Sequence, residues 1–307
     1  MTHLHEIGIV IVTHDSATHI GACLDAAVAT GAEVIVVDNA SQDGTCAEVE
    51  RRGVRLIANP SNAGFAGAVN QGIRALRTPL LLLLNPDAII QSGLESLRDA
   101  CDDPRTAAVG GMLVDDLGKP QVGFMVRRFP SPAALCLEVL LVNRLWPGNP
   151  VNWHYRCLDL NYTAPLEVEQ PAGAFLMIRR DAWERLGGFD ESFHPLWFED
   201  VDFLKRAQEN GYRICYTPRA VAKHTGGHSI RKISLEFRQL YWYRSLLKYA
   251  AKHFPPGSEK IVCLAVIIGS VVRTVLGIPH QRSLKPIAVY GKVVRLAGRQ
   301  LFFGTAG

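Results

Sequence analysis

The chain has no Cys-x-x-Cys pair: its seven cysteines, at positions 23, 46, 101, 136, 157, 215 and 263, are odd in number and scattered. That excludes a disulfide framework and a thiolate zinc cage, and it suits a reducing cytosol. The N-terminus, MTHLHEIGIVIVTHDS, lacks a basic segment followed by an apolar run and a small-residue cleavage site. It therefore reads as the approach to a strand and not as a secretory signal. Internal repeats and low-complexity stretches are missing too. A composition 48% hydrophobic and 20% charged, with 27 Gly and 17 Pro, leaves no room for disorder, collagen or coiled coil.

What is present starts with size and charge. The 307 residues suit one large α/β domain plus an appendage. A net charge of +4 conceals an asymmetry. Residues 219–307 carry fifteen Lys and Arg against only Glu236 and Glu259, an excess of thirteen, so residues 1–218 stand at −9. A mildly acidic body with a basic tail suits contact with an anionic surface, either nucleic acid or the cytoplasmic membrane leaflet. A solvated basic face is the plainer alternative.

The first half alternates short apolar runs with helical patterns. The runs 7–12 (IGIVIV), 33–37 (EVIVV), 54–58 (VRLIA) and 80–84 (LLLLL) read as strands buried on both faces of a parallel sheet. Segments 19–29, 45–52 and 66–76 are long enough for crossover helices, which predicts a doubly wound α/β half. In such sheets the ligand lies at the carboxyl ends of the strands. Residues 120–170 are irregular and read as an excursion over the site. Order resumes with an apolar run at 173–178, helices from Asp181 and over 200–210, and a strand at 213–216.

From Ser234 the character changes. Residues 235–254 form an aromatic, basic helical pattern broken by Pro255-Pro256-Gly257, and 261–272 is an uncharged run stopped by Arg273, with 274–278 continuing briefly. A spanning helix needs about 20 apolar residues, so the run is expected to lie in a membrane interface or to be a buried core helix.

Four constellations carry chemistry. Asp38 and Asp87 follow successive buried strands, where a carboxylate either binds a base, ribose or metal or merely caps a helix. Trp197-Phe198-Glu199-Asp200-Val201-Asp202 sets three carboxylates beside two aromatics. With a helix starting near Asp200, Glu199 and Asp202 share one side while Asp200 points elsewhere; dipole stabilisation is the alternative reading. Lys223-His224-Thr225-Gly226-Gly227-His228 is a loop and not a zincin helix, although one histidine there could complete a site begun by Asp87. Residues 59–72 (NPSNAGFAGAVNQG) open a helix with a Gly- and Asn-rich turn suited to close approach of a phosphate, but they form neither a Walker loop nor a GxGxxG fingerprint.

The order of these motifs resembles the family 2 glycosyltransferases with a GT-A fold, within them the rhamnosyltransferase-like group. The matching stretches are IVIVTHDS at 9–16, VIVVDNASQDGT at 34–45, NPSNAGFAGAVNQGI at 59–73, LLLLNPDA at 81–88, PAGAFLMIRRDAWERLGGFDESF at 171–193 and WFEDVDFLKRAQENGYRI at 197–214. The resemblance implies an α/β fold with a doubly wound mixed sheet of GT-A type over residues 1–230, and says little of 231–307. That remainder is expected to be a helical, basic, membrane-associating region.

The resemblance also implies roles. Thr13 and Asp38 look like the residues that hold the nucleotide base and ribose, with Asn39, Asn62 and Gly64 lining the same side. Asp87 stands where the family's Asp-x-Asp ends and is the expected ligand of Mg2+ or Mn2+; Asn85 replaces the first acid. Asp200 matches the general base, His224 is similar to a histidine that closes the metal site, and Gly173-Ala174 falls where backbone meets the donor sugar. Trp197 and Phe198, with Glu199, are expected to form a platform for a sugar ring.

The reading that follows is an inverting, metal-dependent glycosyltransferase using a dTDP- or UDP-sugar, with dTDP-rhamnose the subgroup's suggestion. Its acceptor is expected to be polyprenyl-linked or a polysaccharide, in cell-surface glycan synthesis. The enzyme is expected to be cytoplasmic and peripheral on the inner face of the membrane. No nucleic-acid partner is expected, because an uncharged run has no role in phosphate contact; the aromatic helix 235–254 is a candidate homodimer surface. A nucleotidyltransferase would show a Gly-rich basic loop after the first strand, and THDS is not one. A non-catalytic nucleotide-sugar or nucleic-acid binding module leaves Trp-Phe-Glu-Asp without a purpose.

Overall fold

The apolar runs at the head of the chain become the parallel part of one sheet. Ile7–Thr13 (β1), Glu33–Asn39 (β2), Arg55–Asn59 (β3) and Leu80–Leu84 (β4) lie in the order β3-β2-β1-β4, each pair parallel. Every residue of β4 and all but one of β1 are buried, so both faces are covered, which is why these runs show no alternation. Helices Ile20–Ala29, Thr45–Glu50 and Gly64–Ala75 make the crossovers. The structure, a computed structural model, describes residues 4–226 and 234–304. His228, Arg231 and Lys232 lie outside the described residues.

Beyond β4 the sheet is mixed. The order continues through Phe175–Arg179 (β10), Thr106–Val114 (β6), Arg213–His224 (β11) and Ala88–Ser92 (β5), while Leu166–Glu167 (β8) pairs with β11 off this path. Val126–Arg127 (β7) and Gln170–Pro171 (β9) form a separate two-stranded ladder. β10 is antiparallel to both β4 and β6, and β11 is parallel to β6. The carboxyl ends of β1, β2, β4 and β11 therefore share one sheet edge with the start of β10. Register does the rest: Leu84 faces Phe175, and Ala88 faces His224. Strand direction alone thus sets Asn85 beside Ala174 and Asp87 beside His224.

β6 has no counterpart in the sequence reading because Gly110 and Gly111 interrupt its apolar pattern. Both glycines answer to close packing. A Cβ on Gly110 would meet Pro171 at 2.3 Å, and one on Gly111 would meet the Phe175 ring at 2.3 Å.

The chain divides into two compact units. One comprises Met1–Phe129, Asp159–Pro195 and Glu199–Lys232, and contains the sheet. The other comprises Pro130–Leu158, Leu196–Phe198 and Ile233–Gly307. The irregular excursion thus supplies part of the second unit, as three helices, Pro132–Val139, Val142–Leu145 and Pro150–Tyr155. They join Leu235–His253, Pro256–Gln281 and Lys285–Phe303. Tyr243, Leu246, Leu247, Val262, Val266 and Val293 are among the buried residues of this unit.

The uncharged run and its brief continuation past Arg273 lie in one helix, Pro256–Gln281. The Arg273 guanidinium turns inward, donating to the carbonyl oxygens of Val139, of Glu138 at 3.2 Å and of Gly269 at 3.2 Å, 6.0 Å from the Tyr243 ring centre. A cation on the last carbonyls of Pro132–Val139 is favourably placed against that helix's dipole. Within the 25 residues Pro256–His280 an 18-residue window reaches mean hydropathy 2.5, long and apolar enough to cross a membrane by length and composition.

Candidate active site

The first cluster is built on the ends of β1 and β2. Thr13 Oγ1 donates to Asp38 Oδ1 at 2.6 Å, and Ser41 donates to the same carboxylate through N at 2.8 Å and Oγ at 2.5 Å. Thr13 and Asp38 are buried, so their geometry is fixed before any ligand arrives. Asn39 ties this end to the next loop, donating from Nδ2 to Gly64 O at 3.1 Å and accepting from Asn59 Nδ2 at 3.0 Å. Asn62, exposed, accepts from Gly64 N at 2.8 Å. Gly64 has φ +79°, and a Cβ there would lie 2.8 Å from His194 Cδ2, so glycine is required twice over. The structure brings all five residues of the expected nucleotide side together.

The second cluster is Asn85, Asp87 and His224. Gln121 Nε2 donates to His224 O at 2.7 Å, which leaves Gln121 Oε1, 3.1 Å from His224 Nδ1, as the acceptor. This network assigns the ring proton to Nδ1. The Nε2 lone pair then faces Asp87 Oδ1 at 3.5 Å and Asn85 Nδ2 at 3.4 Å, with both the His224 and Asp87 side chains buried. Asn85 Nδ2 can donate to that lone pair, and a cation between His224 and Asp87 would serve both of their facing atoms as well. Among the described residues no group of three or more His, Cys, Asp or Glu could hold a metal ion. The protein therefore offers two donors, which fits a hard divalent cation that takes its other positions from water and phosphate oxygens.

The third cluster surrounds Asp200, in the first turn of Glu199–Glu209. Its Oδ2 accepts from Gly173 N at 3.2 Å and its Oδ1 from Val201 N at 2.8 Å. Burial pushes its pKa up, against the pull of these two donors and of the Arg127 charge. Asn85 N donates to Ala174 O at 3.0 Å, so one stretch of backbone, Gly173-Ala174, links the second and third clusters.

The neighbouring carboxylates separate by role. Asp202 is fully buried and ion-paired with Arg206 Nε at 2.9 Å; Arg206 also donates to Leu186 O and Gly188 O. Asp202 thereby holds the Gly187-Gly188 loop. Glu199 is buried with Oε2 lacking a hydrogen-bond partner, and burial, followed by the Asp200 charge, raises its pKa well above the carboxylate range. Trp197 and Phe198 both sit in the left-handed region, at φ 75° and 70°, an arrangement that side chains resist and that clusters at functional sites. Phe198 is buried, its ring 5.4 Å from that of Tyr249 inside the second unit. Trp197, the other aromatic of the expected sugar platform, is half-buried.

Sequence reasoning missed Gln121, Phe124 and Arg127. The Phe124 ring stacks on the His224 imidazole at 5.3 Å and 9°, and the Arg127 guanidinium lies 5.9 Å from the same ring. Segment 121–127 thus reaches from the Asp87–His224 pair to the charge field of Asp200. Its one signal in the sequence was a basic pair, Arg127-Arg128, shortly after an aromatic residue.

A mixed α/β sheet with ligand loops along one edge is the class defined so far, in agreement with the GT-A expectation. Residues 8–187 match the model of glycosyl transferase family 2, and the chain belongs to that family. Residues 154–228 also match the model described as the N-terminal domain of galactosyltransferase. The chain is 29% identical to the N-acetylglucosaminyl-diphospho-decaprenol L-rhamnosyltransferase of Mycobacterium tuberculosis, over 90% of this chain and 96% of that one. It is 27% identical to the pre-mycofactocin glycosyltransferase of the same species, over 80% of this chain and 47% of that one. In fold it is similar to a mannosyltransferase from Pyrobaculum calidifontis solved with GDP-Man and Mn2+ (TM-score 0.53, 17% identity, 97% of this chain and 87% of that one). The protein is a glycosyltransferase.

Proposed function

We propose that the protein transfers rhamnose from dTDP-rhamnose, with inversion, to a polyprenyl-diphosphate-linked or polysaccharide acceptor at the cytoplasmic face of the membrane. The observation that carries the reaction is Asp200. Its carboxylate is anchored by two backbone N–H groups, raised in basicity by burial, and joined through Gly173-Ala174 to the loop that bears Asp87. Asp200 takes the proton of the acceptor hydroxyl as that oxygen attacks the anomeric carbon; the bond to the nucleoside diphosphate breaks, and the diphosphate departs with the electron pair. Thr13 and Asp38 hold base and ribose, and Asn39, Asn62 and Gly64 shape the wall beside them. Asp87 and His224 would hold Mg2+ or Mn2+, which when bound compensates the charge of the departing diphosphate. Rhamnose and the lipid-linked acceptor are supported by the mycobacterial relative's name and near-complete coverage.

A thermal-shift screen of dTDP-rhamnose, UDP-galactofuranose and UDP-hexoses, with and without Mn2+ or Mg2+, tests the donor, since a bound ligand stabilises by mass action. The largest shift is expected for dTDP-rhamnose with metal, followed by transfer to a polyprenyl-diphosphate sugar. A UDP-sugar shift with none for dTDP-rhamnose would replace the donor.

A further inference from the structure

The helix Pro256–Gln281 has two faces with different employment. One face is packed: Val262, Cys263, Val266 and Ser270 are buried, and Arg273 is tied to the carbonyl groups of Val139 and Glu138. The other face carries Ile261, Leu264, Ile268, Val271, Val275 and Leu276, each between 48% and 63% exposed. Ile261, Leu264, Ile268, Val271 and Val275 recur at steps of three and four, with Leu276 next to the last, one continuous stripe about 22 Å long at the helical rise. An apolar surface of that extent left open to water calls for an occupant.

The next helix, Lys285–Phe303, packs on this one, its Pro286 lying 3.0 Å from where a Cβ on Gly277 would stand. Its exposed positions include four cations, Lys285, Lys292, Arg295 and Arg299, at steps of seven, three and four, beside Ile287, which is 49% exposed. Of these Lys292 pairs with Glu236. The row ends in Phe302 and Phe303, 77% and 86% exposed.

We propose that this face of the second unit docks on an anionic lipid surface, with the helix Pro256–Gln281 lying in the plane of the interface and not crossing the bilayer. Crossing would carry Arg273 and Ser270 into hydrocarbon and break the bonds to Val139 and Glu138. Lying flat keeps those groups inside protein while the stripe sinks to the headgroup boundary. Charge decides the occupant. A second copy would bring one cationic row towards another, whereas anionic headgroups attract it. The proposal deepens the membrane-borne acceptor suggested above, yet its test needs no sugar donor, so the two can fail separately.

The experiment is flotation of the full chain with phosphatidylcholine vesicles, with and without phosphatidylglycerol, beside Ile268→Glu/Val275→Glu and Arg295→Glu/Arg299→Glu variants checked by circular dichroism. The parent should float with the phosphatidylglycerol vesicles at low salt. Each double variant should bind about tenfold more weakly or worse, since each basic residue near such a surface contributes about fivefold. Alkaline carbonate should release the parent. Flotation unchanged by the stripe variant overturns the proposal, and so does resistance to carbonate, which would mean a crossing helix. A stripe variant that turns a dimer into a monomer while still floating assigns the face to a second copy. Flotation of the parent that ignores salt removes the cationic row from the argument, whether or not the variants fold.

Discussion

Replacing Asp200 by Asn tests the assignment of the base, and the hydrogen bonds around it decide what else the change does. In the parent both carboxylate oxygens accept from backbone N–H groups, Gly173 N at 3.2 Å and Val201 N at 2.8 Å. An amide has one acceptor oxygen and one donating nitrogen, so either Gly173 N or Val201 N will face a donor. Leaving one such donor unmatched costs about 1–3 kcal/mol when fully buried, and less where the side chain, as here, is partly buried. Asp200→Asn should therefore melt a few degrees below the parent while keeping its donor-induced thermal shift. Turnover should fall by at least about 10²-fold, the scale of general-base contributions. The pH profile adds a second readout. A base works ionised, and burial holds this carboxyl above its ordinary range, so kcat/KM of the parent should rise with pH through a limb above the usual carboxylate pKa. The variant's residual activity should lack that limb. The assay is transfer from the donor identified by the screen, measured by product mass. Near-parental turnover in a folded variant refutes the assignment and moves the base to Glu199; Asp202, held by Arg206, is no substitute.

Three further outcomes are expected. Glu199→Gln should gain stability relative to the parent as pH rises: the folded parent retains a proton that the unfolded chain releases above the ordinary carboxylate pKa, so its stability falls by up to about 1.4 kcal/mol per pH unit until the raised folded pKa is passed. Melting curves that run parallel from acid to alkaline pH would contradict this. Asp87→Ala should remove the metal-dependent part of the donor's thermal shift, and His224→Ala should weaken it; transfer by the parent that survives EDTA ends the metal reading and turns attention to Arg231 and Lys232 as diphosphate partners. Gln121→Leu removes the acceptor that keeps the His224 proton on Nδ1, and it should lower apparent Mn2+ affinity by about 10–100-fold, the scale of lost outer-shell partners; an unchanged Mn2+ midpoint would overturn the tautomer argument.

The sheet edge was legible where local pattern and global role coincide. Runs such as LLLLL are continuous because both faces of β4 are covered, and the loop after a buried parallel strand faces the ligand crevice by topology. Topology made Asp38 and Asp87 candidates, and the resemblance supplied the roles of those two and of their neighbours. Strands β5 and β6 escaped, the first because five residues straight after a turn carry little periodicity, the second because Gly110 and Gly111 erase it. Segment 121–127 escaped for a different reason. Its residues act through ring stacking and a side-chain amide on a histidine 103 positions later, and no spacing rule connects them.

Distance along the chain also explains the misreadings. Arg273 looks like the end of an apolar run, because an uncompensated charge in apolar surroundings is costly and a local window sees no compensation. Its compensation is a carbonyl 134 residues earlier, at the end of another helix. Asp202 looks like a helix-dipole stabiliser or one side of a carboxylate cluster until Arg206 is seen bonded to it and to the Gly187-Gly188 loop as well. In each case the residue type and its immediate neighbours were read correctly. The deciding partner came from a segment that only the fold brings near. Asp200 was the reverse case: its anchor, Gly173, is 27 residues away, but a helix N-terminus already turns that carboxylate from Glu199 and Asp202. The candidate base could therefore be named from spacing and resemblance, while its anchoring by Gly173 and Val201 required the structure.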